Sequence, residues 1–340
     1  MSGAAAAEAS AGDTLLLTAS EVAALLDLPT CIAAVEDVLR RDAAGETLPP
    51  RVLGLPAAAG GLHVKGAGLL GAAPRLAVKL NANFPGNPER CGLPAIQGVV
   101  VLFDGACGRP LAILDSMELT ALRTAATSAL AARHLARPDA RTLLVCGCGR
   151  QGEMHARALC GVLPIVRLLL WDLDGRRAER LAAELAPALA GVAVEPAADL
   201  AAALAACDAC ATCTPARAFF VRREDVRPGT FIAAVGADDR GKQELDPRLV
   251  AASTLVVDAL PQCAELGELQ HAVAAGLLAG DQVHAELAAV VAGTRPGRTT
   301  AGEITIFDST GTALQDLAAA MAVEERARAA GGARTIDLGG

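Results

Sequence analysis

The stretch Leu143-Leu144-Val145-Cys146-Gly147-Cys148-Gly149-Arg150-Gln151-Gly152-Glu153 decides the fold. A run of four apolar residues reads as a buried strand, and glycines then recur as Gly-x-Gly-x-x-Gly at Gly147, Gly149 and Gly152 before a helical stretch from Glu153. Glycine at these positions permits a tight turn, close approach of backbone to a pyrophosphate, and packing of helix on strand, while the helix N-terminus attracts the phosphate charge. The second strand, Leu168-Leu169-Leu170-Trp171, ends in Asp172. That acid lies about 25 residues after the first glycine, near the spacing expected for the carboxylate that holds an adenosine ribose. Thr212-Cys213-Thr214-Pro215 ends the fourth strand of this unit and belongs at the carboxyl edge of the sheet, where a dinucleotide groove lies. The candidate cofactor contacts here are Gly147, Gly149, Arg150, Gln151, Gly152, Asp172, Thr212 and Thr214. An acid at position 172 accepts from a 2′-hydroxyl and repels a 2′-phosphate, which argues for NAD; Arg176 and Arg177, close behind it, leave room for NADP.

Outward from the loop, short strands alternate with helices from Thr142 to Asp258, the pattern of a parallel sheet covered on both faces. The expected architecture is therefore a Rossmann-type, doubly wound α/β sheet. Upstream the texture differs. Helices are expected around Ser20–Leu26 and Thr30–Ala44, then a turn at Leu48-Pro49-Pro50-Arg51. From Arg51 to Leu114 short apolar runs alternate with Gly, Pro and Asn clusters, the signature of a mostly antiparallel or mixed sheet. A long helix is expected from Ser116 to about Ala136, and a terminal strand over Glu303–Ser309 precedes a last helix from Thr312.

The 340 residues imply two domains. A net charge of −8 has the wrong sign for binding a phosphate backbone, so nucleic acid is not expected as a partner. Charges and turn residues interrupt every apolar stretch before the roughly 18 residues of a membrane span. Met1–Gly12 lacks the cationic flank and apolar core of an export signal and reads as a disordered tail, which with ten cysteines in apolar contexts points to reduced thiols and a cytoplasmic location. The absence of tyrosine excludes any mechanism with a Tyr hydroxyl as the acid.

A dinucleotide fold does not name a reaction. Arg51, Lys79 and Arg123 lie in turn or apolar contexts, and Asp238 follows the strand Ala233-Ala234-Val235. Converging cations clamp a carboxylate, and an acid at the cofactor edge moves a proton on and off nitrogen. Spacing alone reads these four as surface charges at element ends.

Five blocks of sequence change that reading: Phe84-Pro85-Gly86-Asn87-Pro88 with Gly92-Leu93-Pro94; Leu119-Thr120-Ala121-Leu122-Arg123-Thr124; Gly147-Cys148-Gly149-Arg150-Gln151; Val235-Gly236-Ala237-Asp238 with Gly241-Lys242-Gln243-Glu244-Leu245-Asp246; and Ile304-Thr305-Ile306-Phe307-Asp308-Ser309-Thr310-Gly311. In order and spacing they resemble the ornithine cyclodeaminase/mu-crystallin family. The resemblance implies a homodimer with a substrate-binding and dimerisation domain of α+β type built from both chain ends (13–125 and 305–340), and an NAD(P)-binding Rossmann domain (126–304). It implies that Arg51, Lys79 and Arg123 bind the substrate carboxylate and that the catalytic residues are Asp238, as the acid/base, and Lys79. Val235, Gly236 and Ser309 join the candidate cofactor contacts. The family's members include amino-acid dehydrogenases, imine reductases, cyclodeaminases and a non-catalytic hormone-binding crystallin.

The expected function is an NAD-dependent oxidoreductase acting at the Cα–N bond of an L-amino acid or cyclic imine, with an ornithine or lysine cyclodeaminase as the alternative and a binding protein as a third. Two departures bear on the choice. Ala95 stands where the cyclodeaminases carry a hydroxyl residue, and His63 and Lys65 replace apolar residues. These two share a strand face, which meets either solvent or the substrate. Facing inward, they favour a substrate with a second acidic or polar group and disfavour a diamine.

Other signals carry less. Cys207, Cys210 and Cys213 have an iron–sulfur spacing, but alternation along a strand is expected to send successive members to opposite sides, as small core residues. His134, His155, His271 and His284 show no metal-ligand spacing, and no metal site is expected.

Overall fold

The computed structural model describes residues 13–338, so the expected tail Met1–Gly12 lies outside the described residues. The chain divides into two units, Met1–Arg123 with Thr312–Gly340, and Thr124–Gly311. The boundaries expected at 125/126 and 304/305 fall instead at 123/124 and 311/312. The strand Thr305–Asp308 belongs to the second unit, paired on both sides within its sheet. Its fully buried apolar residues, Ile306 and Phe307, suit a central parallel strand rather than a domain end.

The first unit holds a seven-stranded mixed sheet in the order Arg334–Ile336, Thr14–Leu17, Pro110–Asp115, Ile96–Asp104, Arg75–Asn83, Gly60–Leu69, Thr47–Ala57. All neighbours are antiparallel except Thr14–Leu17 with Pro110–Asp115. Alternation along the strands sets one buried face, with Ala77, Lys79, Val100, Leu102, Ala112 and Leu114 below 6% exposure. The helix Ala313–Ala330 covers this face, packing on the strands Arg75–Asn83 and Gly60–Leu69 and on the helix Leu28–Ala43. The latter starts where Asp27 accepts the Thr30 N–H, and it buries Cys31, Ile32, Val35, Val38 and Leu39 along one stripe.

The turn expected at Leu48-Pro49-Pro50-Arg51 is instead part of the edge strand Thr47–Ala57. Proline is tolerated on an edge strand because no neighbour needs its missing N–H, and here the register slips by one residue between Leu48 and Arg51.

The second unit is built on eight parallel strands, ordered Ala285–Glu286, Thr254–Val257, Thr305–Asp308, Phe231–Ala234, Ala209–Thr212, Thr142–Cys146, Arg167–Trp171, Ala193–Pro196. The order reverses at Thr142–Cys146, so a topological switch point lies beside Ala209–Thr212, and the crevice outside the carboxyl ends there is the usual ligand position of such sheets. Leu143 to Cys146 are fully buried. The expected alternation fails for the cysteines: Cys207 and Cys210 sit in the same core cluster with Cys146. Cys207 ends the helix Leu200–Ala206 and precedes the strand, so strand alternation does not govern it.

Candidate functional site

In the second unit the glycine turn leads from the strand Thr142–Cys146 into the helix Arg150–Val162, with Gly149 as its N-cap. Gly147 has φ +97°, and a Cβ there would stand 2.7 Å from the Cys213 carbonyl; a Cβ on Gly152 would stand 1.9 Å from the Gly147 carbonyl. No larger residue fits either place. Asp172 is anchored to the same turn: its Oδ2 accepts the Cys148 N–H at 2.8 Å and its Oδ1 accepts the Asp174 N–H at 3.0 Å. Beside it opens a pocket of about 670 Å³ lined by Gly147, Gly149, Asp172, Thr214, Trp171 and Phe220, with the two rings 5.5 Å apart. Such a pocket offers a flat apolar slot ending in a carboxylate, which suits a nucleoside with a free 2′-hydroxyl. Arg177 also lines it.

Arg150 pairs with Glu153, and the Gln151 carbonyl accepts from His155 Nδ1. His155 is buried, and burial lowers its pKa to about 4, so it is a neutral packing residue bridged to Ser128. Thr212 is fully buried, while Thr214 is held by Glu244, whose Oε1 accepts from both its N–H and its hydroxyl at 2.7 Å. Glu244 Oε2 accepts the Gly236 N–H at 2.8 Å. One carboxylate thus ties together the loops that follow two adjacent strands. The pattern repeats inward: Glu268 accepts from the N–H groups of Glu244 and Leu245, and Asp308 accepts from those of Glu268 and Leu269. Burial raises the pKa of all three acids. Val235 is buried next to Gly236, and Ser309 is buried and directed at Asp258. Asp238, after the strand Phe231–Ala234, is exposed and pairs with Lys242 at 2.5 Å.

In the first unit a buried cluster forms around Asp316 on the last helix. Lys79 Nζ donates to Asp316 Oδ1 at 3.0 Å and stands 2.8 Å from Oδ2. Arg123 donates from Nε to Oδ1 at 2.8 Å and from Nη1 to Gln315 Oε1 at 2.7 Å. All four residues are nine-tenths or more buried. Burial lowers the Lys79 pKa to about 8, opposed by Asp316 and assisted by Arg123 and Lys65. For Asp316, burial pushes upward, but Arg123 and Lys79 outweigh it and hold the carboxyl below its usual range.

Lys65 pairs directly with Lys79 across the antiparallel ladder and therefore shares its face; His63, two residues back, pairs with Asn81 on that face and is exposed. Arg51 does not join them. It pairs with Gly66, next to Lys65, and so projects to the other face; the slip after Leu48 is what moves it, since unshifted pairing would set it opposite Lys65. Lys79 and Arg123 are not the surface charges that spacing alone suggests.

Asp316 and Gln315 were missed by sequence reading, as were Glu244, Trp171 and Phe220 as site residues. A signal existed for the first pair: two polar residues inside Ala313-Leu314-Gln315-Asp316-Leu317-Ala318-Ala319-Ala320 must be partnered if that helix is buried.

With this geometry in view, comparison with known proteins is decisive. The family model for the ornithine cyclodeaminase/mu-crystallin family matches residues 12–331. The chain belongs to that family. Within the family it is 37% identical over 316 residues to the alanine dehydrogenase of Archaeoglobus fulgidus, covering 93% of this chain and 95% of the relative. It is 40% identical over 266 residues to the iminosuccinate reductase of Paracoccus denitrificans, covering 77% and 80%. Among solved family structures, an archaeal alanine dehydrogenase dimer with bound NAD superposes with a TM-score of 0.91 at 35% identity, over 96% of this chain and 99% of that one.

Proposed function

We propose that the protein is an NAD-dependent oxidoreductase acting by hydride transfer at the Cα–N bond of an L-amino acid or imine. The reading rests above all on the buried Lys79–Asp316–Arg123 cluster, in a chain whose other unit carries a glycine turn that admits no Cβ and an Asp172 locked to it. Gly147, Gly149 and Gly152 would hold the pyrophosphate of NAD and Asp172 its adenosine ribose, and the bound cofactor would supply the hydride acceptor, or in its reduced form the donor, for the substrate Cα. Lys79 and Arg123 hold the substrate's α-carboxylate, and orienting it accounts for several kcal/mol of barrier, of the ~7–11 available to positioning. The part of Arg51 rests on family resemblance. The part of Asp238 rests on the same resemblance, which gives it the proton of the α-ammonium as the imine forms and its return in reduction. The archaeal and Paracoccus relatives, named for amino-acid and imine chemistry, support the reaction class.

A homodimer is part of the proposal. The edge strand Thr47–Ala57 leaves Leu48, Val52, Leu53 and Leu55 more than 40% exposed, apolar side chains on both of its faces that a second copy would cover. The solved archaeal relative is a dimer. Among the described residues no helix is long and apolar enough to cross a membrane, and all ten cysteines are free thiols, which suits the cytoplasm.

The test is incubation with NAD and alanine, ornithine or lysine, and with NADH and the corresponding imines, following NADH and ammonia together. Stoichiometric NADH change supports the proposal. Ammonia release without net NADH would make the enzyme a cyclodeaminase, and no turnover across the panel would leave a binding protein.

A further inference from the structure

We propose that Glu244 is a positioning residue for the reaction, the carboxylate that closes the neck of the loop carrying Asp238 and fastens that loop to the wall of the cofactor pocket. The proposal rests on the oxidoreductase reading above and adds to it the group that sets the acid in place.

The loop from Gly236 to Glu244 is tied off by its own last residue, whose Oε2 accepts the Gly236 N–H at 2.8 Å. The Thr212 carbonyl shares that N–H at 3.1 Å, and the Asp238 N–H donates to the Gly236 carbonyl at 3.1 Å, so Asp238 hangs directly on the tied residue. The other oxygen, Oε1, accepts both the N–H and the hydroxyl of Thr214 at 2.7 Å, and Thr214 lines the pocket with Gly147 and Asp172. Nothing larger than glycine admits the carboxylate at the neck, because a Cβ on Gly236 would stand 2.5 Å from Oε1. Glu244 is fully buried, and its main chain is held from behind by Glu268, which accepts its N–H at 2.7 Å.

Burying a carboxylate is costly unless hydrogen bonds compensate it, and here donors from two separate loops do so. Only a carboxylate presents acceptors at both ends of one planar group; the amide of the same shape has one acceptor end and one donor end. In Glu244→Gln the two Thr214 donors keep the oxygen on their side, which turns the NH2 toward the Gly236 N–H, donor against donor. That substitution releases the Asp238 loop and leaves the pocket wall tied.

The test is Glu244→Gln, read by residue-resolved amide hydrogen exchange, NADH fluorescence titration, and the kinetics of alanine, ornithine and lysine with NAD. Exchange at Gly236 is expected to quicken at least about tenfold, while Thr214 stays within about threefold of wild type. A misplaced acid should lower kcat about 10–100-fold, with the NADH Kd changed less than about threefold. Any other exchange pattern, a Kd that weakens as much as kcat falls, or an unchanged kcat overturns the proposal. A lower melting temperature with those readouts unmoved is a structural role only and overturns it too. Should Glu244→Gln fail to fold, the wild type decides: its Thr214 and Gly236 amides should exchange slowly without cofactor, and fast exchange at either overturns the proposal. Lack of turnover in the wild type counts against the oxidoreductase reading instead, and the exchange pattern with the NADH titration then decides whether Glu244 ties the two loops.

Discussion

The two functional regions of the molecule are assembled by opposite routes. The glycine turn draws Gly147, Gly149, Gly152 and Asp172 from one short stretch, joined by local turn geometry and one backbone hydrogen bond to the next strand's acid. The cation cluster joins Lys79 to Asp316 across 237 positions of sequence and Arg123 to Asp316 across 193. A local motif needs only strand, turn and helix in order. A long-range cluster needs the whole first unit folded, because the acid that neutralises the cations arrives on the last helix.

That contrast can be broken from either side. The largest effect is expected for Asp316→Ala, which removes the buried carboxylate that both Lys79 and Arg123 contact and costs about 3–5 kcal/mol of stability. Urea denaturation should show it in the midpoint, and a variant as stable as wild type would mean the pair is not buried in solution.

Gly152→Ala should act on the local region alone. A Cβ 1.9 Å from the Gly147 carbonyl forces the turn open, costing about 2–3 kcal/mol and abolishing NADH binding in a fluorescence titration. Retained cofactor affinity would refute the cradle.

Asp172→Ala is milder in its effect on folding and sharper in specificity. Loss of the ribose acceptor and of its repulsion toward a 2′-phosphate should shift the NAD to NADP ratio of kcat/KM by about 2 kcal/mol, or roughly 30-fold. An unchanged ratio would shift attention to Arg177.

The smallest effect is a pH dependence that the cation cluster alone should show. With its pKa lowered to about 8 by burial, Lys79 loses its charge as pH rises past 8, so KM for an anionic substrate should roughly double between pH 7 and 8 and climb beyond. The stability sign is opposite: between pH 8 and 10.5 the unfolded chain binds more protons than the folded one, so this lysine's contribution improves with rising pH. Steady-state kinetics and thermal melts over pH 7–10 check both, and a flat KM would place Lys79 away from the substrate.

Much of the architecture is legible in the sequence, because it is written in periodicity. Leu143 to Cys146 before the glycines, and the alternation of short strands with helices after them, specify the parallel sheet. The edge strand Thr47–Ala57 is hidden by Pro49-Pro50, which reads as a turn until an edge position makes the missing N–H harmless. The strand Thr305–Asp308 looks like a tail element and is central, because strand order is not sequence order. For the candidate site, residue types and family blocks pick out Lys79, Arg123 and Lys65. They do not pick out Asp316 and Gln315, whose part exists only when a helix from the far end of the chain lies on the sheet.

What the sequence determined by itself was therefore the local chemistry: a turn that admits no side chain, an acid at the end of the next strand, and a surplus of cations in a weakly patterned sheet. Tertiary structure alone decided which cations share a carboxylate, that Lys65 stands beside Lys79, and that a one-residue slip sends Arg51 to the other face. The physical reason is range. Turn geometry is settled by neighbours in the chain, whereas burial of a charge is settled by whichever distant residue compensates it.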